Sequence, residues 1–324
     1  FEDSPAKRKE KSKSSQLYVP RFDDEQNSSF VVDSWYKKSF WLYLLYPFSL
    51  IVSYITARRR RKYLKGASET HKSEVPVIVV GNLTIGGTGK TPLVKYIASE
   101  LLSLGYKPGL VSRGYGGKFK ETLLVSDQTP VKQTGDEAQI LATLNLPFYI
   151  DKSRVRAVKA ITDNHDCDII ISDDGLQHYK MNRDIEIVVI DGKRRFGNNL
   201  TFPAGPLRES KARLNSVDFI VNNSGPTDEG EYLMNVSPSR FVHLKSGKSY
   251  PIEDWPMHKQ VHAVAGLGNP GRFFDLLARL GFDIIRHPFQ DHHNFHEQDI
   301  HYLDHLPIVM TEKDASKCKD FDNN

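Results

Sequence analysis

Short runs of apolar, mostly β-branched residues recur along the chain, and apolar residues at helical spacing separate them. Residues 77–80, 109–112, the run Ile169-Ile170-Ile171 after Asp168, 185–190 and 217–221 read as buried strands. Between them, Val94, Ile97, Ala98 and Leu101 line one face of a helix, and Ile140, Leu141 and Leu144 mark another. A strand-helix-strand alternation of this kind requires right-handed crossovers and a parallel sheet. The pattern loosens after Asn222 and restarts at 261–265. A helix over 273–280 and a final strand and turn at 308–314 follow. The expectation is an α/β core over 65–222 and a smaller α/β domain over 223–324.

The N-terminal part departs from that pattern twice. Residues 1–34 are polar and charge-rich, with too few apolar groups to offset ordering entropy, so an unstructured extension is expected there. Residues 40–56 then carry no charge at all, between Lys37-Lys38 and the cluster Arg58 to Lys62. A membrane span of that length is marginal. Pro47, Trp41, Tyr43, Tyr46 and Tyr54 suit a helix lying in the interface, and the basic cluster suits anionic lipid. A spanning helix and a core helix stay as alternatives. The segment is too internal and too aromatic for a cleaved signal.

Composition adds bounds. The 324 residues allow one large or two modest domains, and a net charge of +4 does not argue for nucleic acid. Cys167 and Cys318 lack metal or disulfide spacing and suit a reducing compartment.

The chemistry concentrates where strands end. After 77–80 comes Gly86-Gly87-Thr88-Gly89-Lys90-Thr91, leading into a helix. This is the layout of a phosphate-binding loop: amides face phosphate, Lys90 neutralises its oxygens, and the Thr91 hydroxyl reaches Mg²⁺. The general consensus has Gly where this chain has Thr84. A second strand ends at Arg113, on the edge that faces ligand in open α/β sheets. Asp136 and Glu137 begin a helix, where they serve either as caps or as ligands to a metal or hydroxyl. The run after Asp168 ends in Asp173 and Asp174, as in P-loop enzymes that hold Mg²⁺, with His178 close behind. A Gly- and Pro-dense loop over 194–209 carries Arg194, Arg195 and Arg208, each able to meet a phosphate.

Three weaker signals remain. Residues 266–271 spell G-x-G-x-x-G, but Asn269 as a cap and Pro270 at the first helical position explain them without a dinucleotide. His287, His292, His293, His296, His301 and His305 crowd one segment without a zinc-protease motif. Thr311-Glu312-Lys313-Asp314 resembles a guanine-reading motif only loosely.

In combination and in order, several segments resemble tetraacyldisaccharide 4′-kinase, the lipid A 4′-kinase of Gram-negative bacteria. They are Gly81-Asn-Leu-Thr-Ile-Gly-Gly-Thr-Gly-Lys-Thr-Pro92, Ser112-Arg-Gly-Tyr-Gly116, Gly135-Asp-Glu137, Asp173-Asp-Gly-Leu-Gln-His178, Pro203-Ala-Gly-Pro-Leu-Arg-Glu209, Phe289-Gln-Asp-His292 and Thr311-Glu-Lys-Asp314. The family looks similar at Thr84. The resemblance implies transfer of the ATP γ-phosphoryl, with Mg²⁺, to the 4′-hydroxyl of an acylated glucosamine disaccharide 1-phosphate. It implies a two-lobed P-loop NTPase-like fold and a helix docked on the cytoplasmic face of the inner membrane, with neither nucleic acid nor an obligate protein partner. By position, Gly86, Gly87, Thr88, Gly89, Lys90 and Thr91 would hold ATP, and Thr91, Glu137 and Asp173 the metal. Asp136 would be the general base, paired with His292, with Lys90 and Asp174 beside it. Arg113, His178 and Arg208 would face the acceptor. Residues 1–34 look foreign to the family, and the chain stops soon after Asp314 where members usually continue, so a truncated C-terminus is expected. A membrane-bound regulatory P-loop NTPase and an inactive homologue are the competing readings.

Overall fold

The computed structural model describes residues 30–37, 39–290, 293–319 and 321. Most of the extension expected at 1–34 lies outside them. Its last turn does not: α1 (Phe30–Tyr36) is helical, and Trp35 is buried with its indole N–H donating to the Pro203 carbonyl at 3.1 Å. One aromatic anchor therefore overrides the polar composition there.

A 3₁₀ turn (Phe40–Leu45) leads into α2 (Tyr46–Leu64), with Pro47 in its first turn, where a missing N–H costs nothing. The polarity of α2 is inverted relative to a helix on a soluble core. Ser49 is buried, its hydroxyl donating to the Thr201 carbonyl at 2.7 Å and accepting from the Ala204 N–H at 2.9 Å. Ser53, one turn on, meets the Thr201 hydroxyl at 2.9 Å. Phe48, Leu50, Ile51, Tyr54 and Ile55 point outward and are more than half exposed.

The main body is one eight-stranded sheet. Its strands in chain order are β1 (Val77–Gly81), β2 (Pro108–Ser112), β3 (Leu123–Leu124), β4 (Phe148–Ile150), β5 (Ile169–Asp173), β6 (Ile185–Asp191), β7 (Phe219–Asn223) and β8 (Glu231–Met234). They lie in the order β3-β4-β2-β5-β1-β6-β7-β8, all parallel except β3. The helices α3 (Lys90–Ser103), α4 (Val131–Thr134), α5 (Asp136–Ala142) and α6 (Arg154–Asn164) belong to this body. Both faces of β1 are covered, which is why it reads as an unbroken apolar run. Ile78 and Val80 pack with Val94 and Ala98 of α3, and Val77 and Val79 with Val158 and Ile161 of α6. The sheet does not close at 217–221 as the sequence suggested. The expected boundary after Asn222 falls inside β7, and β8 pairs beyond it.

A short hairpin of β9 (Arg240–Val242) and β10 (Ser249–Pro251) follows. The second sheet is β11 (Gln260–Ala265) between β12 (Asp283–Pro288) and β13 (Ile308–Met310), all parallel, with α7 (Pro270–Arg279) packed on it. α8 (Glu312–Ala315) ends the described fold, capped by Thr311, whose hydroxyl accepts from the Asp314 N–H. Asn269 and Pro270 occupy the cap and first helical positions of α7, but the Asn269 side chain makes no capping bond.

Candidate active site

β1 runs straight into the glycine loop and α3. Gly86 and Gly89 hold φ of 103° and 95°, the left-handed region that glycine alone enters without cost. At Gly89 a Cβ would lie 2.2 Å from Asn223 Nδ2, so the side chain from β7 closes the position. The same Asn223 amide donates to the Thr88 carbonyl at 2.9 Å. Thr84 needs no such freedom. It is buried and bridged to Leu207, while Ile85 N–H donates to the Pro206 carbonyl at 2.8 Å and Arg208 N–H to the Leu83 carbonyl at 2.6 Å. The phosphate loop is thus stitched to the Gly- and Pro-dense loop before Glu209. Asn82 braces it from within, donating to the Thr84 carbonyl at 2.7 Å and the Gly86 carbonyl at 3.2 Å and accepting from Lys90 Nζ at 3.4 Å.

Parallel pairing sets Asp173 of β5 opposite Val80 of β1, beside the start of the loop. Asp173 is 1% exposed, and neither carboxylate oxygen has a hydrogen-bond partner among the described residues. Burial, then the charges of Glu137 and Asp174, push its pKa well above the ordinary carboxylate range; Lys90 and Arg154 offset this only in part. Asp174 follows at φ 49° and turns the other way. Arg208 Nη1 donates to both its oxygens, at 2.8 and 3.0 Å, and Lys90 Nζ lies 3.6 Å off. Burial is the largest influence on Asp174 and acts upward, but Lys90, Arg208 and Arg154 outweigh it and hold the group low. Arg154, buried at the start of α6, donates from Nη2 to the carbonyls of Asp173 and Asp174, both at 3.1 Å. Burial lowers its own pKa to about 10.

A buried carboxylate with no donor of its own is costly unless a cation meets it. Asp173, the Thr91 hydroxyl and Glu137, whose charge acts on Asp173, offer the hard oxygen ligands that Mg²⁺ prefers. The buried Thr88 hydroxyl is also without a partner among the described residues. The residues present therefore fit a magnesium-nucleotide.

Asp136 and Glu137 open α5 behind Gly135, so the expected helix start is there. Asp136 Oδ2 lies 3.0 Å from Nζ of Lys317, which arrives from the turn after α8. His292 lies outside the described residues. His178 is half-buried, with Nε2 unpartnered among the described residues; burial and then Arg154 lower its pKa to about 4, so it is neutral at physiological pH. Arg113 is exposed at the end of β2, and its charge acts on Arg154.

Of the loop arginines, Arg195 forms a two-pronged pair with Glu231 at 2.8 and 2.7 Å and also meets Asp228. Arg194 donates to the Gly268 carbonyl at 3.0 Å and lies over the Tyr36 ring. From α7, Arg272 reaches Asp191 Oδ2 and Asn223 Oδ1, each at 3.2 Å. The 266–271 loop thus docks onto the phosphate-loop side of the sheet. The histidine-rich segment divides: His287 bonds His262 at 2.9 Å, and His262 bonds Asp304 at 2.9 Å. Burial lowers the His287 pKa to about 4.

Sequence reasoning missed Asn82, Arg154, Asn223, Arg272 and Lys317. Asn82 lies inside the quoted loop and had a readable signal, a polar residue closing a buried strand. The others act across distant segments.

A sequence profile for tetraacyldisaccharide-1-P 4′-kinase matches residues 41–324. The tetraacyldisaccharide 4′-kinase of Methylobacillus flagellatus is 44% identical over 286 residues, covering 88% of this chain and 85% of that protein. The enzyme of the same name from Ruthia magnifica is 45% identical over 284 residues, covering 87% and 90%. A crystal structure of LpxK from Aquifex aeolicus in complex with ATP superposes with a TM-score of 0.73 at 29% identity, covering 87% of this chain and 91% of that one.

Proposed function

The chain belongs to the tetraacyldisaccharide-1-P 4′-kinase family, an ATP-dependent kinase of lipid A biosynthesis, and from that premise we propose how its residues divide the reaction. The donor is ATP and the acceptor a tetraacyl disaccharide 1-phosphate.

Phosphoryl transfer asks a protein for alignment and charge neutralisation more than for covalent chemistry. The amides of residues 86–90 cradle the donor phosphates, and Lys90, already half-way between Asn82 and Asp174, faces them with its charge. Asp173, Thr91 and Glu137 would hold Mg²⁺, which when bound neutralises charge developing on the phosphate oxygens. Asp174 does different work. Tied to Arg208 and Lys90, it fixes the lysine and joins the phosphate loop to the 203–209 loop. Asp136, at the start of α5, takes the 4′-hydroxyl proton late in transfer, when that hydroxyl becomes acidic. His292 is assigned to the same proton path. Arg113, exposed after β2, and the neutral His178 are assigned to the acceptor.

The acceptor carries acyl chains that keep it in a bilayer. The outward apolar face of α2 suits insertion at the surface of the inner membrane on its cytoplasmic side, with Arg58, Arg59 and Arg61 against anionic headgroups. A cavity of about 110 Å³ between Tyr46, Ser49, Leu50, Ser53 and residues 199–201 lies beside that face.

The observation that carries the division of roles is Asp173, buried and without a hydrogen-bond partner among the described residues, beside a lysine-bearing phosphate loop. Asp173→Asn tests it. Turnover is expected to fall and the Mg²⁺ concentration for half-maximal rate to rise about tenfold or more, as for lost metal ligation. An unchanged Mg²⁺ requirement would remove Asp173 from the metal site.

A further inference from the structure

The Thr311–Asp314 segment looked like a failed nucleotide-reading motif, and its place in the fold gives it other work. Asp314 is 0% exposed, and its Oδ2 accepts from the Gly266 N–H at 3.0 Å and the Thr311 hydroxyl at 3.0 Å. These bonds pin the turn of α8 to the second sheet. One turn later Lys317 emerges with its side chain only 8% exposed. Its Nζ donates to the His293 carbonyl at 3.0 Å, lies 3.8 Å from Asp314 Oδ1 and sits over the Phe295 ring at 5.7 Å. Its remaining reach goes to Asp136 Oδ2, at 3.0 Å, on a side chain 13% exposed.

The other end of this contact is equally constrained. Asp136 opens α5 behind Gly135 at φ 82°, where a Cβ would lie 2.0 Å from the Tyr115 carbonyl oxygen, so the backbone that presents Asp136 has little room to shift. The carboxylate is thus held by a fixed helix start on one side and by a fixed lysine from the other lobe on the opposite side. A compact, partly desolvated ammonium orients a carboxylate more firmly than an exposed one would. The nearby pair Lys95–Glu312, at 3.3 Å but with side chains 31% and 59% exposed, is the contrasting case, a contact with little power to orient.

We propose that Lys317 is a positioning residue for phosphoryl transfer, holding the Asp136 carboxylate in the orientation from which it meets the acceptor hydroxyl. The Thr311–Asp314 turn is the base on which that lysine stands. The proposal rests on the reading of Asp136 as the general base. It assigns the second lobe a part in the chemical step itself.

The test uses the full chain, ATP and a tetraacyl disaccharide 1-phosphate in mixed micelles, with Lys317→Met, Lys317→Arg, Asp136→Asn and the Lys317→Met/Asp136→Asn double variant. Lys317→Met is expected to lower kcat about tenfold to a hundredfold, the scale on which a misplaced reacting group is felt. KM for ATP should stay unchanged, and the melting temperature should fall by no more than a few degrees. Lys317→Arg is expected to recover most of the rate. In the double variant, losing the lysine should add less than about twofold to the loss from Asp136→Asn, because the two act as one unit. Unchanged kcat in Lys317→Met beside an impaired Asp136→Asn would overturn the role of Lys317 and leave the base reading standing. Full multiplication of the two losses, or a loss in Lys317→Met that tracks melting temperature and that arginine does not repair, would overturn it as well. Full turnover in Asp136→Asn would overturn both.

Discussion

The two sides of the candidate site are built in opposite ways. The donor side comes from neighbouring strands of one sheet: β1 with its loop, β5 with Asp173 and Asp174, and the 203–209 loop laid against them. Its strands are buried and held by backbone pairing, and Gly86 and Gly87 at the loop's tip stay exposed. The facing side is assembled from distant pieces, the start of α5 and Lys317 after α8, while α2 presents its apolar face outward. There the contacts are single side chains crossing between bodies. Damage to the donor side should therefore remove ATP binding and turnover together, whereas damage to the facing side should leave ATP binding in place and change turnover or acceptor use.

The largest combined loss of ATP binding and turnover is expected at Lys90. Lys90→Ala should lower kcat by about 10²–10³-fold, as for loss of one preorganised charge, and weaken ATP binding together with it. Steady-state kinetics with a nucleotide-binding assay would show this, and unchanged kinetics would mean the loop is not a donor site.

Asp173 gives a sharper contrast, because its chemistry and its stability should move in opposite directions. Its folded pKa is raised above the unfolded value. In magnesium-free protein its contribution is therefore fully present below the ordinary carboxylate range and lost as pH rises through the folded value. Asp173→Asn removes that loss. With chelator at neutral pH the variant should melt a few degrees higher than the parent, at about 2–4 °C per kcal/mol in mid-sized domains. An equal or lower melting point would show that the carboxylate is already compensated.

Where the second lobe meets the donor side, Arg272→Ala should act modestly, raising KM for ATP about threefold to tenfold by removing one of the bonds that hold the Asn223 side chain; a charged hydrogen bond is worth about 1.5–3 kcal/mol, and part of it is exposed here. Kinetics indistinguishable from the parent would make the Asp191–Arg272 pair structural only. The smallest effect on chemistry is expected from α2. Replacing Leu50, Ile51 and Ile55 by serine should leave the melting temperature and the kcat unchanged while raising the apparent KM for micellar lipid and reducing vesicle binding. A fall in melting temperature instead would show that this face is packed, not presented.

The same contrast governs what could be read from the sequence. The loop, its helix, the strand ending in Asp173 and Asp174 and the helix start at Asp136 were legible because each is a local pattern. The end of the sheet was not: β8 carries exposed Tyr232 and Leu233, and its pairing with β7 depends on a partner, not on an apolar run. The α1 turn was hidden by its charged surroundings, since the bond from Trp35 that ties it down goes to Pro203, far along the chain. Arg154 and Lys317 were invisible for a physical reason. A lone basic residue in a polar segment looks solvated until the chain brings it to a carbonyl or carboxylate far away in sequence. Arg195 shows the converse, a basic residue in a promising loop whose charge is already spent on Glu231.

Asp136, paired with Lys317, stands between the two sides. Transfer of labelled γ-phosphate from ATP to a tetraacyl disaccharide 1-phosphate, followed for the parent chain and for Asp136→Ala at matched ATP occupancy, tests this most directly. The variant is expected to bind ATP as the parent does and to lose about 10²–10⁴-fold in turnover. Transfer at the parent's rate by Asp136→Ala would contradict the account.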